Sequence, residues 1–244
     1  LILVDVFIGV SRFLYIRKMI RKILIVSATG AEIKGLLSND SPIPAEGVPF
    51  LIPGDDAPDV YGLITGVGSV ATAFHLANVL AFNTYDVILN IGLAGAFNRN
   101  FALGDVLEVT SDCFADLGAV DHERFLSSVD LGLMGSDEFP YSNGLLAPKP
   151  VQGLSTGLKM ASSITVNSVH GDAEGIEAVQ KQFPADLESM EGAAFFYCSL
   201  MKGIPCAQVR AVSNYVEPRN RDAWEIKLAL NNLWDAVRMI IGNC

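Results

Sequence analysis

Two carboxylates and one amide stand where apolar runs give way to glycine-rich turns. Glu32 follows "KILIVS" in "SATGAE", Glu191 follows "ADLES" in "SMEGAA", and Asn214 follows "IPCAQVRAVS". A carboxylate can take or return a proton when its pKa suits the working pH. An amide both donates and accepts hydrogen bonds. Just beyond Asn214, Arg219, Arg221 and Trp224 gather positive charge and an aromatic face in a chain whose formal net charge is −10. An anionic small substrate needs such a local cluster in an otherwise acidic protein.

These residues need a scaffold that brings separate turns together. From Arg21 onward, strand-like and helix-like segments alternate. "KILIVSA", "VYGLITG", "YDVILNIG", "SSITVNS", "ADLES" and "IPCAQVRAVS" read as strands, and "GDVLEVTSDCFADLG" as one long strand. "GAEIKGLL", "AEGIEAVQKQF", "MEGAAFFYCSLMKG" and "DAWEIKLALNNLWDAVRMII" read as helices. "SVATAFHLANVLAF" places Val70, Ala73, Phe74, Ala77 and Leu80 on one helical face. The segment from about Leu117 to Pro150 is loop-heavy and a candidate cover for a site. The alternation predicts a single three-layer α/β domain, with a largely parallel mixed central sheet and helices on both faces. Ligands of such sheets bind beyond the carboxyl ends of the strands, so the polar residues there are read together.

Taken one at a time, each has a structural account. Glu32 and Glu191 lie in first helical turns, where the helix dipole favours a carboxylate. Asn214 suits a turn, and "TGVGS" and "GLAGAF" suit tight strand-to-helix connections. "GVGSVA" lacks the third glycine of a dinucleotide fingerprint, and no acidic residue ends the next strand, which disfavours a dinucleotide-dependent oxidoreductase.

Their joint occurrence is more specific. Across "KILIVSATGAEI", "LITGVGSVATA", "NIGLAGAF…LGDVLEV", "ESMEGAAF" and "VRAVSN", in that order, the chain resembles the nucleoside phosphorylase superfamily. The resemblance is nearest the purine nucleosidases that include methylthioadenosine/S-adenosylhomocysteine nucleosidase. Within that branch "RAVSNYVEPRNRDAW" is similar to the futalosine hydrolases of an alternative menaquinone pathway. Their substrate is a hypoxanthine nucleoside with a benzoate-bearing 5′ extension.

Breaking an N-ribosidic bond requires a tolerated positive charge on the ribose, a stabilised departing purine, and water at C1′. The resemblance implies that Glu32 is the general base for that water. It implies that Glu191 holds the ribose hydroxyls and steadies an oxocarbenium-like state, and that Met190 packs against the sugar. Thr165 and Val166 match a strand that lines the purine and offers backbone hydrogen bonds. Two departures bear on the base. Asn214 stands where adenine nucleosidases carry Asp; its NH2 suits O6 and its oxygen suits a protonated N7, which argues for hypoxanthine or guanine. Leu93 stands where the adenine enzymes tend to have Ser, which removes a hydroxyl near the base. The route of the proton to N7 stays open. Arg219 or Arg221 is assigned to the benzoate, with Trp224 or Tyr215 near its ring; the alternative is pairing with Glu217, Asp222 or Glu225. Arg210, inside a strand, is read as a structural charge with a buried partner.

The resemblance also implies a homodimer or higher homo-oligomer. The rival functions are a purine nucleoside phosphorylase, a methylthioadenosine/S-adenosylhomocysteine nucleosidase, and a non-catalytic nucleoside-binding protein. Glu32 would repel phosphate, and a mere binder gains little from a water-activating carboxylate. The acidic balance argues against nucleic acid and anionic membranes, leaving a small-molecule purine nucleoside as partner. His75, His122 and His170 are far apart, show no metal-ligand pattern, and read as surface or packing residues; no metal or cofactor is expected. Four cysteines without CxxC spacing suggest a reducing cytoplasm and no disulfides. Residues 1–18 read as an extension outside a functional domain spanning 19–244, with a weak membrane anchor as the alternative.

Overall fold

"KILIVS" forms strand β1 (Lys22–Ser27), in which every residue after Lys22 is buried. A run buried on both faces belongs at the centre of a sheet, and β1 sits between two parallel neighbours. The computed structural model describes residues 3–4, 15–16, 20–38, 41–54, 58–122 and 124–244. Beyond a two-residue pairing of Leu3–Val4 with Tyr15–Ile16, the segment 1–18 and its expectation lie outside the described residues.

The other strands are β2 (Phe50–Ile52), β3 (Asp59–Ile64), β4 (Val87–Ala96), β5 (Val106–Ser111), β6 (Lys159–Thr165), β7 (Leu187–Ser189) and β8 (Cys206–Tyr215). They form one eight-stranded sheet in the order β7-β6-β5-β8-β4-β1-β3-β2. Pairing is parallel between β1 and β3, β1 and β4, β4 and β8, β5 and β6, and β6 and β7. It is antiparallel where β2 meets β3, β5 meets β8, and β7 meets β4. The last of these folds the sheet back on itself, so that β4 is flanked at its end by both β7 and β8.

Helices α1 (Gly30–Ile33), α2 (Ser69–Phe82), α3 (Ala173–Gln182), α4 (Gly192–Met201) and α5 (Ile226–Gly242) cover this sheet. One core cluster joins Leu76, Val79 and Leu80 of α2 and Phe195 and Phe196 of α4 to one face. A second joins Ala229, Leu233, Val237 and Ile240 of α5 to the other. Packing on both faces is the three-layer arrangement expected from the sequence.

Three local expectations change. On α2 the buried residues are Thr72, Leu76, Val79 and Leu80, while Val70 and Phe74 are left exposed. That helix is apolar nearly all round, so spacing alone does not select its inner face. The predicted long strand stops at Ser111, because Asp112 turns into buried hydrogen bonds with Thr165 and Gln208. The loop-heavy segment contains a hairpin, Gly118–Asp121 with Arg124–Ser127. It helps enclose a cavity of about 370 Å3 lined by Cys113, Phe114, Met134 and Tyr141, which none of the predicted site residues lines.

Candidate active site

Strand β4 measures out the site. Gly92 and Gly95 are three residues apart, about 10 Å along an extended chain, and each marks one level.

At the first level lie Glu32 and Arg210. A side chain at Gly92 would put its Cβ 2.4 Å from Arg210 Nη1 and 2.9 Å from Glu32 Oε1, so only glycine fits. Glu32 caps its own helix: its Oε2 accepts from Thr29 N (2.8 Å) and Thr29 Oγ1 (3.0 Å). Its Oε1 accepts from Leu93 N (3.2 Å). Burial pushes the Glu32 carboxyl above the ordinary carboxylate range. The Arg210 guanidinium opposes this, and the Glu191 charge adds to it. A carboxyl raised in this way is a better proton acceptor at neutral pH than a free one. Arg210 is fully buried and donates through Nη2 to Asn90 Oδ1 (2.5 Å), the buried partner expected for it.

Glu191 arrives from β7. Glu188 on that strand is in register with Gly95, and the chain then runs back along β4 towards Gly92. Glu191 is buried, and its Oε1 accepts from Gly68 N (2.9 Å). Gly68 has φ +91°, a conformation other residues rarely adopt, and that turn aims its N–H at the carboxylate. Half-buried Met190 adjoins Glu191, and its carbonyl accepts from Ser69 Oγ (3.3 Å).

At the second level stands Asn214. The β4–β8 register slips between Val212 and Asn214, so Ser213 is an extra residue and Asn214 pairs with Gly95. Such a bulge re-aims the side chain that follows it. Asn214 Nδ2 donates to Tyr215 O (3.0 Å), and its Oδ1 accepts from Ser213 Oγ (2.8 Å). The Tyr215 carbonyl only accepts, so it fixes which end of the amide faces it. One N–H of Asn214 remains for a ligand.

Asn214 lines a cavity of about 70 Å3 with Gly95, Glu188, His170, Arg219 and Trp224. The loop that supplies Arg219 and Trp224 is pinned by Val216 N to Ala96 O (2.9 Å), Arg219 N to Gly171 O (3.1 Å) and Glu225 N to Ser213 O (2.8 Å). Arg219 and Arg221 lie over Trp224, 5.8 and 5.5 Å from its ring centroid. Among the described residues neither arginine has an ion-pair partner; Glu217 is held by Arg99 instead (2.6 Å). Arg99 also covers the Tyr215 ring at 4.1 Å. Arg221 does not line the cavity.

Three expected residues lie away from the Asn214 cavity. The Thr165 hydroxyl donates to Asp112 Oδ1 (2.9 Å) and accepts from Ala193 N (2.8 Å). Its backbone is occupied by Cys113 O (2.8 Å) and Ala115 N (3.0 Å), so it offers a purine nothing and instead seats α4. Val166 is buried, with its N–H spent on Ser189 O (3.0 Å). The Leu93 side chain packs against the α5-side core and does not line the Asn214 cavity; its backbone N–H on Glu32 is the part that reaches the site.

The sequence shows Glu188 at a strand end beside Glu191, but its pairing with His170 is seen only in the fold. Glu188 Oε1 accepts from His170 N (3.1 Å), and its Oε2 meets His170 Nδ1. In sequence His170 lies far from His75 and His122 and shows no metal-ligand spacing, which suggests only a surface or packing residue. The available signal was Glu188 itself, a carboxylate inside a buried strand that needs a partner.

Comparisons with known proteins agree on the superfamily. A family model described as the phosphorylase superfamily matches residues 22–241. A futalosine hydrolase of Thermus thermophilus is 36% identical over 183 residues, 74% of this chain and 80% of the relative. One from Streptomyces coelicolor is 32% identical over 190 residues, 74% of this chain and 78% of the relative. Among solved structures, a 5′-methylthioadenosine/S-adenosylhomocysteine nucleosidase of Colwellia psychrerythraea in complex with adenine superposes with TM-score 0.72 at 21% identity. The match covers 92% of this chain and 96% of that one.

Proposed function

The chain belongs to the phosphorylase superfamily, and from that premise we propose that it hydrolyses the N-ribosidic bond of a 6-oxopurine nucleoside, futalosine, releasing hypoxanthine for the menaquinone route. The observation that carries the reading is Asn214, whose amide is turned by the β8 bulge and by the Tyr215 carbonyl to leave one free N–H. A 6-oxopurine presents the acceptors O6 and N7 on that edge, whereas adenine presents an amino donor beside N7. An N–H facing O6 makes a hydrogen bond. Facing an amino group it leaves two desolvated donors, at a cost of about 1–3 kcal/mol.

The rest of the reaction follows from the two levels of β4. Glu32 takes a proton from water as the water attacks C1′. Glu191 accepts from the ribose hydroxyls and offsets the positive charge on the sugar, with Met190 against its face. Arg219, without an ion-pair partner among the described residues and beside Trp224, holds the benzoate of the 5′ group. Glu32 faces the attack side with a carboxylate, which disfavours phosphate as nucleophile.

A homo-oligomer fits the surface. Val67, Val70 and Phe74 on or beside α2, and Tyr197 and Met201 on α4, are exposed on two helices that share a core cluster. An apolar patch of this kind is a protein-contact surface. No helix among the described residues is long and apolar enough to cross a membrane, and the proposed place of action is the cytoplasm.

The test is release of free base from futalosine, inosine and methylthioadenosine, each offered alone in phosphate-free buffer. Fast release of hypoxanthine from futalosine supports the reading. Preference for methylthioadenosine, or strict dependence on added phosphate, overturns it.

A further inference from the structure

The reading above leaves one chemical need unmet. Two acceptors, O6 and N7, lie on the recognised edge of the purine, and N7 must gain a proton as the bond to C1′ breaks. Asn214 has one free N–H, and an amide supplies no proton near neutral pH.

Gly95 marks where the second donor stands. It is in register with Asn214 on β8 and with Glu188 on β7, so these two side chains flank the same position of β4. Glu188 is 3% exposed and takes both its hydrogen bonds from His170, one from the backbone N–H (3.1 Å) and one from Nδ1. A carboxylate on Nδ1 fixes that nitrogen as the N–H tautomer. Nε2 has no hydrogen-bond partner among the described residues, and the His170 side chain, 23% exposed, lines the cavity with Asn214 and Gly95. Held in this way, the ring offers a proton at Nε2 only in its charged form.

We propose that His170, oriented by Glu188, is the general acid that delivers a proton from Nε2 to N7 of the departing 6-oxopurine, beside the Asn214 N–H on O6. The proposal rests on the hydrolase reading above and deepens it. As the C1′–N9 bond breaks, its electron pair passes into the imidazole half of the purine. The His170 proton moves to N7, and the base leaves neutral. Water forms the new C1′–O bond and gives its proton to Glu32. The enzyme is then left with neutral His170 and protonated Glu32, and solvent returns the proton between them before the next turnover. Glu188 touches no substrate and is a positioning residue.

The surroundings favour the charged imidazole. The hydrogen bond to Glu188 raises the His170 pKa, burial opposes it, and the charges of Glu188, Asp172 at the α3 N-cap and Asp116 after β5 raise it further. From the loop after β8, Arg219 and Glu217 face the same cavity, with Glu217 neutralised by Arg99. The group is needed protonated, so kcat/KM falls as pH rises through its pKa.

The experiment compares inosine with 7-methylinosine, whose N7 is already alkylated and whose base leaves without a proton. His170→Asn is expected to lose roughly 10²–10⁴-fold in kcat on inosine and futalosine, and to keep 7-methylinosine turnover within a few-fold of the parent. Equal losses on both substrates, or no loss on inosine, overturn the assignment. Glu188→Gln tests it without removing the acid: the alkaline limb of the pH profile on futalosine should move to lower pH. A limb that stays in place refutes the role of Glu188 and of the dyad. Unmodified protein inert towards futalosine and inosine alike overturns the hydrolase reading; active protein whose His170→Asn variant loses both substrates equally overturns this proposal alone.

Discussion

The two ends of the site are built differently. Around Gly92, the carboxylates are gripped by main-chain N–H groups: Glu32 by Thr29 and Leu93, and Glu191 by Gly68. Around Gly95, side chains hold side chains: Ser213 holds Asn214, and Glu188 holds His170. A backbone-held group changes position only if the sheet does. A side-chain-held group can be exchanged while the scaffold stays. The comparison predicts that substitutions at the first end alter rate for every nucleoside alike, whereas those at the second have effects that depend on the O6 and N7 of the base.

The largest effect should come from Glu32→Gln. The amide keeps the shape but cannot take a proton, so turnover should drop roughly 10²–10⁴-fold on all substrates with binding retained. Product release and equilibrium binding of a substrate analogue, measured together, check this. A loss confined to one base would break the comparison. Asn214→Asp should be next. It faces a carboxylate towards both O6 and the Tyr215 carbonyl, and should lower futalosine hydrolysis by about 10–100-fold, the equivalent of 1–3 kcal/mol. Competition between futalosine and methylthioadenosine reads it directly; equal slowing of both would mean that Asn214 does not choose the base.

Arg219→Ala should act further out. It is expected to cost about tenfold in kcat/KM on futalosine, a loss near 1.4 kcal/mol, and far less on inosine. Arg221→Ala, which does not touch the cavity, should be milder on both. Equal weakening of the two substrates by Arg219→Ala would assign the loop to structure.

The smallest effect lies beneath the base end. Burial pushes Asp112 up to about 6, against hydrogen bonds from Gln208 and Thr165 and the charge of Arg210. A raised carboxyl pKa in the folded state means that the unfolded chain binds fewer protons between the two values. The stability it lends is therefore complete below its unfolded pKa and lost as pH rises through about 6. Asp112→Asn should remove that slope in thermal melts between about pH 4 and pH 6. Turning the Gln208 amide would let its unpartnered Oε1 accept from the new NH2, so the fold should survive. A steeper slope would contradict the assignment.

The same contrast explains what the sequence could reveal. The hydrophobic runs placed Glu32, Glu191 and Asn214 near strand ends, while the roles expected of them came from five motifs in order and from no single residue's local pattern. The bulge that aims Asn214 is a register shift and has no residue signature. His170 was not legible, since its meaning comes from Glu188 on another strand, eighteen residues later. The Thr165 backbone and the Val166 N–H look available to a ligand in a sequence and are spent on backbone partners in the fold. The order of elements and the two covered faces followed from hydrophobic runs. The inner face of α2 did not, because that helix is apolar on every side.

The extra residue in β8 has a consequence for how such a site can change. Because Asn214 owes its direction to one added unit of chain length, ligand preference here is written in spacing as well as in chemistry. Were the bulge smoothed out, with Ser213 taking the place opposite Gly95, the amide would turn towards the opposite side of the sheet while every letter of the strand stayed in place. A lineage could thus lose or regain discrimination between purines through a slip of register, a kind of event that substitution scanning does not sample.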